Sequence, residues 1–136
     1  MAVDASVQGR TFPPTEPYLV SREKIEEFAR ATGSPYDGTA APVTFPIVVA
    51  FAAMNALLEH PDLGISLHRV VHGEQRFSCT RPVVAGDRLT ATLTVESLRR
   101  VAGADIIGTR SEITDAEGLP VCTAFATLVH RAEEAA

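Results

Sequence analysis

One apolar segment constrains the fold of this 136-residue chain more than any other feature. The segment runs from Ile47 to Leu58 and is interrupted only by Asn55. It is shorter than the roughly 18 residues that indicate a membrane span, so the pattern favours a helix inside a globular core. Its apolar residues would lie on all sides of that helix, so other elements must cover it on most sides.

The residues around this segment define its two ends. Thr44 is a favourable capping residue, and Pro46 stands near the first turn, where its missing N–H costs little. At the other end, the sequence His60-Pro61-Asp62 stops the helix. We therefore predict a buried central helix whose N-terminal end lies near Thr44.

A second helix is predicted before the central one. Ser21 is a favourable cap, Ile25 and Phe28 stand at helical spacing, and Gly33 is a favourable end. This helix is amphipathic, so we expect it to be half exposed. The segment before it, residues 9–18, holds three prolines and is predicted to be extended, with a short strand near residues 18–20.

After the central helix, the spacing of apolar residues changes to the period of two that is typical of strands. Four long strands are predicted: Leu67–Thr80, Asp87–Leu98, Ala104–Asp115 and Leu119–Arg131. Their connections are short and turn-like, so strands that are neighbours in sequence are expected to pair antiparallel. The chain lacks linkers and repeats, so we predict one α+β domain over residues 1–136, in which a curved antiparallel sheet wraps a long buried helix.

Charge, cysteine content and the N-terminal sequence exclude some classes of function. Twelve basic and seventeen acidic residues give a net charge of −5, with no basic stripe, so nucleic acid is not an expected partner. Cys79 and Cys122 each stand in a strand-like pattern, which predicts two reduced, buried thiols. The N-terminus has neither the basic nor the apolar region of a secretion signal. A cytoplasmic location is therefore expected.

Four stretches of the sequence resemble one family. They are GRTFPPTEPYLV from Gly9, SREKIEEFARATG from Ser21, APVTFP from Ala41, and VHGEQRFSCTRPVVAGDRL from Val71. The pieces HGEQ-F and RP-x-x-AGD within the last stretch are the most specific. Over nearly its whole length, the chain resembles the N-terminal type of MaoC-like dehydratases, and in particular the actinobacterial (R)-3-hydroxyacyl-thioester dehydratase subunits and their uncharacterised relatives.

This resemblance implies a single hot-dog fold and an acyl-thioester ligand, carried on coenzyme A or on acyl carrier protein. Catalytic members of the family reversibly dehydrate an (R)-3-hydroxyacyl thioester to a trans-2-enoyl thioester, and the resemblance implies no cofactor. Because a single copy of this fold tends to leave its ligand groove unfinished, we expect a dimer. Its second subunit is either another copy of the chain or a different hot-dog subunit.

The reaction needs a base for the proton beside the thioester carbonyl and an acid for the 3-hydroxyl group. Working members of the family supply Asp and His from a G-D-x-N-P-x-H motif in the loop before the central helix. In this chain Ser34 stands at the place of the motif's Asp, and Tyr36 lies nearest the place of its His. The loop is also shorter than in motif-bearing proteins. We therefore predict that the catalytic pair is missing.

Several residues remain candidates for the site. Asp37 is a weak catalytic candidate, because a single Asp beside glycine is more often a turn former. His72 is the second, although alternation places Gln75 on the opposite strand face from His72 and Glu74 unless the strand bulges. The helix end near Thr44 and Phe45 is expected to offer unpaired N–H groups. The predicted substrate-binding residues are Tyr36, Thr44, Phe45, Pro46 and His72.

Other assignments follow from spacing. His68 and His72 would lie about 13 Å apart along a strand, too far to share one metal ion, so no metal site is predicted. Arg76 and Arg81 could each meet a phosphate of coenzyme A, but isolated arginines on strands are usually solvated or paired. Asp87 follows a glycine and is interpreted as a turn residue.

Three functions stay open at this level. The first is a dehydratase-family subunit that binds acyl thioesters while a partner supplies the acid and the base. The second is a hot-dog acyl-CoA thioesterase, for which Glu59 at the far end of the central helix is the only acid in that helix. The third is a homodimeric protein that only binds acyl thioesters.

Overall fold

The computed structural model describes residues 3–131. In this part of the chain two α-helices precede most of a five-stranded sheet. The elements are β1 (Tyr18–Leu19), α1 (Arg22–Thr32), α2 (Ile47–Leu58), β2 (Val70–Cys79), β3 (Arg88–Val101), β4 (Ala104–Thr114) and β5 (Pro120–Arg131), with short 3-10 helices at Ala5–Val7 and Leu67–Arg69. The predicted α+β class is confirmed, and the first residues of the first predicted long strand form a 3-10 turn instead.

The sheet is antiparallel throughout, in the order β1-β3-β4-β5-β2. The predicted pairing of sequence neighbours is confirmed for β3 with β4 and for β4 with β5. It is wrong for β2, which pairs with β5 instead of β3. The reason is the connection after β2, which forms an open loop that Arg81 and Asp87 hold together by an ion pair of 2.9 Å. After this loop the chain continues in β3, which is separated from β2 in the sheet by β4 and β5.

Helix α2 lies on the concave face of the sheet. Its sheet-facing residues are buried and contact the core formed by β3, β4 and β5. They are Val49, Ala50, Ala53, Met54 and Leu57. The opposite side is open, and Phe51 there is 44% exposed. The prediction that the helix is covered on most sides is therefore wrong for the single chain, because the sheet curls around only one side of it.

Helix α1 has the ends that the sequence predicts, whereas helix α2 does not begin with the predicted cap. The Ser21 hydroxyl accepts the Lys24 N–H at 3.0 Å, and Gly33 ends α1 with a left-handed φ of 69°, as predicted. Helix α2 begins after Pro46 without a side-chain cap. Thr44 does not cap the helix, because it lies inside a tight turn that precedes it. None of the helices in residues 3–131 is long and apolar enough to cross a membrane.

The two cysteines differ from the prediction. Cys79 on β2 stands directly opposite Cys122 on β5, and the two are joined in a disulfide bond. Cys122 is 3% exposed, whereas Cys79 is exposed. The prediction of two reduced, buried thiols is therefore wrong. It failed because it took no account of the pairing of β2 with β5, which alone brings the two residues together.

Candidate functional site

A cavity of about 570 Å³ opens at the N-terminal end of α2. Three segments form it: the loop before the helix, the end of β2, and the connection from β2 to β3. Its walls are mostly apolar, with Arg81 and Thr80 as polar members. The apolar walls are Ala40, Ala41, Pro42, Val43, Pro46, Phe77, Pro82 and Val83. An apolar cavity of this size suits part of a small organic ligand.

The loop before α2 is fixed in two places. The Ala41 N–H donates to the Val83 carbonyl at 2.8 Å, which ties the loop to the β2–β3 connection. Phe45 is fully buried and packs edge to face on Phe28, with ring centroids 5.3 Å apart. Of the predicted substrate-binding residues, only Pro46 lines the cavity, while Phe45 belongs to the core and Thr44 faces solvent.

The backbone donors at the start of α2 are used within the chain. The Phe45 N–H donates to the Pro42 carbonyl at 2.9 Å, and the Ile47 N–H donates to the Thr44 carbonyl at 3.1 Å. The Val48 N–H in turn donates to the Phe45 carbonyl at 3.0 Å. The expectation of an unpaired N–H at Phe45 is therefore wrong, because consecutive tight turns precede the helix. An oxyanion would have to displace these three bonds to reach their donors, whereas the Thr44 N–H has no hydrogen-bond partner among the described residues.

In the loop before α2, Asp37 and Tyr36 have the surroundings of structural residues. Asp37 accepts the Thr39 N–H at 2.9 Å, which closes a turn on the surface. The Tyr36 ring is half-buried against the core, and it lies beside a separate cavity of about 410 Å³ at α1. Its hydroxyl is buried, with no hydrogen-bond partner among the described residues. Neither side chain lines the cavity at the end of α2.

His72 occupies a different position, beside the middle of α2. A β-bulge between His72 and Glu74 shifts the register of β2 against β5. The bulge brings His72 and Gln75 to the same face, with His72 Nε2 3.0 Å from Gln75 Oε1. The His72 ring also packs on Phe51 at 5.9 Å. Glu74 bonds instead to Arg76, at 3.2 Å. Alternation alone could not place Gln75 on the face of His72, because Gly73 was the only sign of a bulge in the sequence.

Arg81 at the rim of the cavity is neutralised by two carboxylates. Its guanidinium bonds to both Asp87 oxygens, at 2.9 and 3.2 Å, and lies 3.5 Å from Asp115. The hydrogen bond to Asp87 raises the pKa of Arg81 above its usual range. Asp87 also accepts the Val84 N–H at 2.9 Å, which confirms its turn role. Sequence reasoning missed this cluster, although the RP-x-x-AGD motif begins with Arg81 and ends with Asp87. With its charge satisfied, Arg81 is poorly placed to bind a phosphate.

The fold is that of the hot-dog proteins, with a helix on the concave face of a curled antiparallel sheet. The family model for the FAS1-like dehydratase domain region matches residues 34–124. The chain belongs to this family. A UPF0336 protein from Streptomyces avermitilis is 46% identical over 98% of this chain and 99% of its own length. The match to a UPF0336 protein from Streptomyces coelicolor is 45% identical and covers the whole of both chains.

Solved structures agree with this assignment. The HadBC (3R-hydroxyacyl-ACP dehydratase) complex from Mycobacterium tuberculosis contains a chain that is 31% identical, with a TM-score of 0.80 over 95% of this chain and 99% of that one. The (R)-hydratase from A. caviae shares the fold, with a TM-score of 0.63 at 18% identity over 93% of this chain and 96% of its own. The resemblance to MaoC-like dehydratases is therefore confirmed.

A difference in length accompanies these similarities. The match to the Streptomyces coelicolor protein extends over 150 positions, whereas this chain has 136 residues. The relative therefore has about 14 positions without a counterpart here.

Proposed function

We propose that this chain is an acyl-thioester-binding subunit of an (R)-3-hydroxyacyl-thioester dehydratase, or enoyl hydratase, and that a partner subunit supplies the acid and the base. The observation that carries the proposal is the loop between α1 and α2. This loop contains no histidine, and its single carboxylate, Asp37, is occupied in closing a turn. A dehydratase fold without its own acid and base has a binding role.

The ligand proposal depends on apolar surface at α2. The cavity at its N-terminal end has mostly apolar walls, and a second groove of about 560 Å³ lies between α2 and the proline-rich segment at residues 13–18. Burying a methylene group is worth roughly 0.8 kcal/mol, so a fatty acyl chain gains affinity from such surfaces. The thioester end would lie near Pro46, and His72 with Gln75 would meet a part of the ligand held by the partner.

The partner would bind at the outer edge of β2. Within the described residues no strand pairs with this side of β2, and free edges readily pair with strands of another chain. Exposed apolar side chains surround the edge: Leu67 and Val71, with Phe51 on the adjacent helix. This chemistry fits either a second copy of the chain or a hot-dog subunit that carries the complete motif.

Replacing Phe51 and Val71 together by lysine is expected to raise the dissociation constant of the dimer at least about tenfold, because an apolar interface buries lysine only at a cost above 1.4 kcal/mol. Sedimentation velocity at several protein concentrations measures this change. Leu19→Lys is the matched control, because Leu19 is similarly exposed at the opposite edge of the sheet. Dissociation caused by Leu19→Lys, or an unchanged dimer in the double variant, would place the interface elsewhere.

The function is tested by hydration of a trans-2-enoyl thioester. The chain alone is expected to give background rates, and the chain with a co-purifying hot-dog partner that carries G-D-x-N-P-x-H is expected to be active. Removing the partner's motif Asp should lower the rate by about 10²–10⁴-fold, the usual contribution of general acid–base catalysis. Asp37→Asn should leave the mixture unchanged. Strong hydration by the chain alone, abolished by Asp37→Asn, would refute the proposal.

The remaining functions are outcomes of the same experiment. A thioesterase needs a carboxylate that activates water, but Glu59 lies at the C-terminal end of α2, away from the cavity at Pro46. Release of free thiol from an acyl thioester would favour that function. Tight binding of an acyl thioester by a homodimer without turnover would favour a simple binding protein. The cytoplasmic location stays a prediction, and the argument from reduced thiols no longer supports it.

A further inference from the structure

We propose that the Cys79–Cys122 disulfide is a site of exchange with small thiols, and that Cys79 is the sulfur that receives them. This inference requires neither acyl binding nor a catalytic partner, although the thiol would enter the cavity that the proposed function gives to the thioester. The ligand class is a low-molecular-weight alkyl thiol, either a pantetheine thiol such as coenzyme A or a peptide thiol such as glutathione.

The positions of the two strands make the two sulfurs unequal. Cys122 lies on β5, between β4 and β2, where Ile113 is its neighbour on β4. It is 3% exposed and belongs to the core. Cys79 lies at the end of β2, the outermost strand, and is exposed. A thiolate from solvent therefore reaches Cys79 first, and access is one of the factors that set the rate of attack on each sulfur of a disulfide.

The cavity at the end of α2 gives the incoming thiol a place to bind. Cys79 is one of its walls, together with Phe77 and Pro46 on the apolar side and Thr80 on the polar side. Its volume of about 570 Å³ lies within the range that holds small organic ligands. The disulfide thus combines an accessible sulfur with an adjacent ligand-sized space. An exposed disulfide on a flat surface would offer no such space.

The exchange needs no further oxidant or reductant. The thiolate RS⁻ attacks Sγ of Cys79, the bond between the two cysteine sulfurs breaks, and its electron pair passes to Sγ of Cys122, which takes up a proton. The products are the mixed disulfide RS–S–Cys79 and a free thiol at Cys122. Attack by the Cys122 thiolate on Cys79 reverses the step and expels RS⁻. The adduct would occupy the cavity beside Pro46.

Peptide mapping by mass spectrometry tests the proposal on the folded chain. The oxidised protein is incubated without oxygen with coenzyme A or with glutathione, quenched with N-ethylmaleimide, and digested. The adduct is expected on Cys79 and the maleimide on Cys122. Adduct at Cys79 should exceed adduct at Cys122 by at least about tenfold, because reaching the buried sulfur first requires local opening. Adduct with coenzyme A alone assigns the site to pantetheine thiols, and adduct with both assigns it to small thiols in general.

Two single variants make the test independent of whether the two cysteines are oxidised or reduced in the purified protein. Cys122→Ser leaves Cys79 as a free thiol that is expected to form mixed disulfides with oxidised glutathione and with coenzyme A disulfide. Cys79→Ser leaves Cys122 buried and is expected to stay unmodified until the protein is denatured. Equal labelling of the two sulfurs would overturn the proposal. The proposal would also be overturned if the folded chain formed no adduct under conditions that modify the denatured chain. It would be overturned as well if both cysteines were free thiols and oxidised glutathione did not convert them to a disulfide.

Discussion

Replacing Phe45 by alanine is expected to lower the free energy of unfolding by about 3–5 kcal/mol, the usual range for Phe→Ala in a core. Phe45 has no solvent-exposed surface, and its ring packs on Phe28 with an interplanar angle of 77°. Truncation removes this contact and leaves a cavity between α1 and the start of α2. The hydrogen bond from the Ala41 N–H to the Val83 carbonyl restrains the rest of the loop from filling this space.

Equilibrium unfolding in urea measures the effect of Phe45→Ala. Val43→Ala is the matched control in the same loop, since Val43 is 83% exposed, and it is expected to change the free energy of unfolding by less than about 0.5 kcal/mol. Phe45→Leu should recover part of the loss, because it retains much of the buried volume. A loss below about 1 kcal/mol for Phe45→Ala would contradict a core position for Phe45.

The anchoring of this loop bears on the function. The resemblance to MaoC-like dehydratases predicts that the loop before the central helix carries the chemistry, but here Phe45 anchors this segment in the core. Its turns consume the N–H groups of Phe45, Ile47 and Val48. The loop therefore supports the helix and forms one wall of the cavity. Under the proposed function, the acid and the base come from the partner subunit.

Local patterns predicted the parts of the fold that local physics determines. The bounds of α2 at Ile47 and Leu58 agree with the apolar segment, because nothing else in the chain can bury so much surface in one run. The cap at Ser21 and the end of α1 at Gly33 follow from hydrogen bonding within one turn. The strands of the hairpins from β3 to β5 are also where alternation places them.

The parts that failed depend on long-range pairing. Alternation shows which face of a strand is buried, but it does not show which strand lies beside it. The pairing of β2 with β5 was therefore missed, and with it the Cys79–Cys122 disulfide. The bulge after His72 was not predicted. It was stated only as the condition under which Gln75 could share a face with His72, because a glycine in a strand permits a bulge without requiring one. In the site, Thr44 was predicted as a cap from its residue type, but the preceding turn places Pro46 at that position.

A buried histidine that sequence reasoning did not select joins three parts of the fold. His130 on β5 is 1% exposed, and its Nε2 accepts the Ser66 N–H at 3.0 Å, which holds the segment before β2. Its Nδ1 therefore carries the proton of the neutral ring and lies 4.0 Å from Asp105 Oδ2 on β4. Asp105 also accepts the Val3 N–H at 2.9 Å, and Arg100 lies 3.4 Å from its other oxygen. The neutral ring fits these contacts, whereas a protonated Nε2 could not accept from Ser66.

Burial lowers the pKa of His130 below its ordinary value of 6.5, and the opposing attraction of Asp105 only reduces the shift. The unfolded chain therefore binds a proton at this residue at a higher pH than the folded chain does. The stabilisation is fully present above about pH 6.5 and is lost as the pH falls through the pKa of the folded state. One proton gives a slope of up to about 1.4 kcal/mol per pH unit in that interval.

Urea unfolding from about pH 8 to about pH 5, the interval in which histidine titrates, is expected to show this loss of stability on acidification. His130→Gln should be less stable at neutral pH, because it disturbs the contacts with Ser66 and Asp105, but its stability should depend less on pH over the same interval. His72→Gln is the control, since His72 is exposed and is not among the groups that shift the pKa of His130, so its replacement should leave the slope of the unsubstituted chain. The difference between the two variants isolates His130 from the carboxylates, which titrate at lower pH. An equal slope in both variants would show that His130 does not contribute to the loss of stability. A gain of stability on acidification that His130→Gln abolishes would show that the ring is charged in the folded chain and that its attraction to Asp105 outweighs its burial.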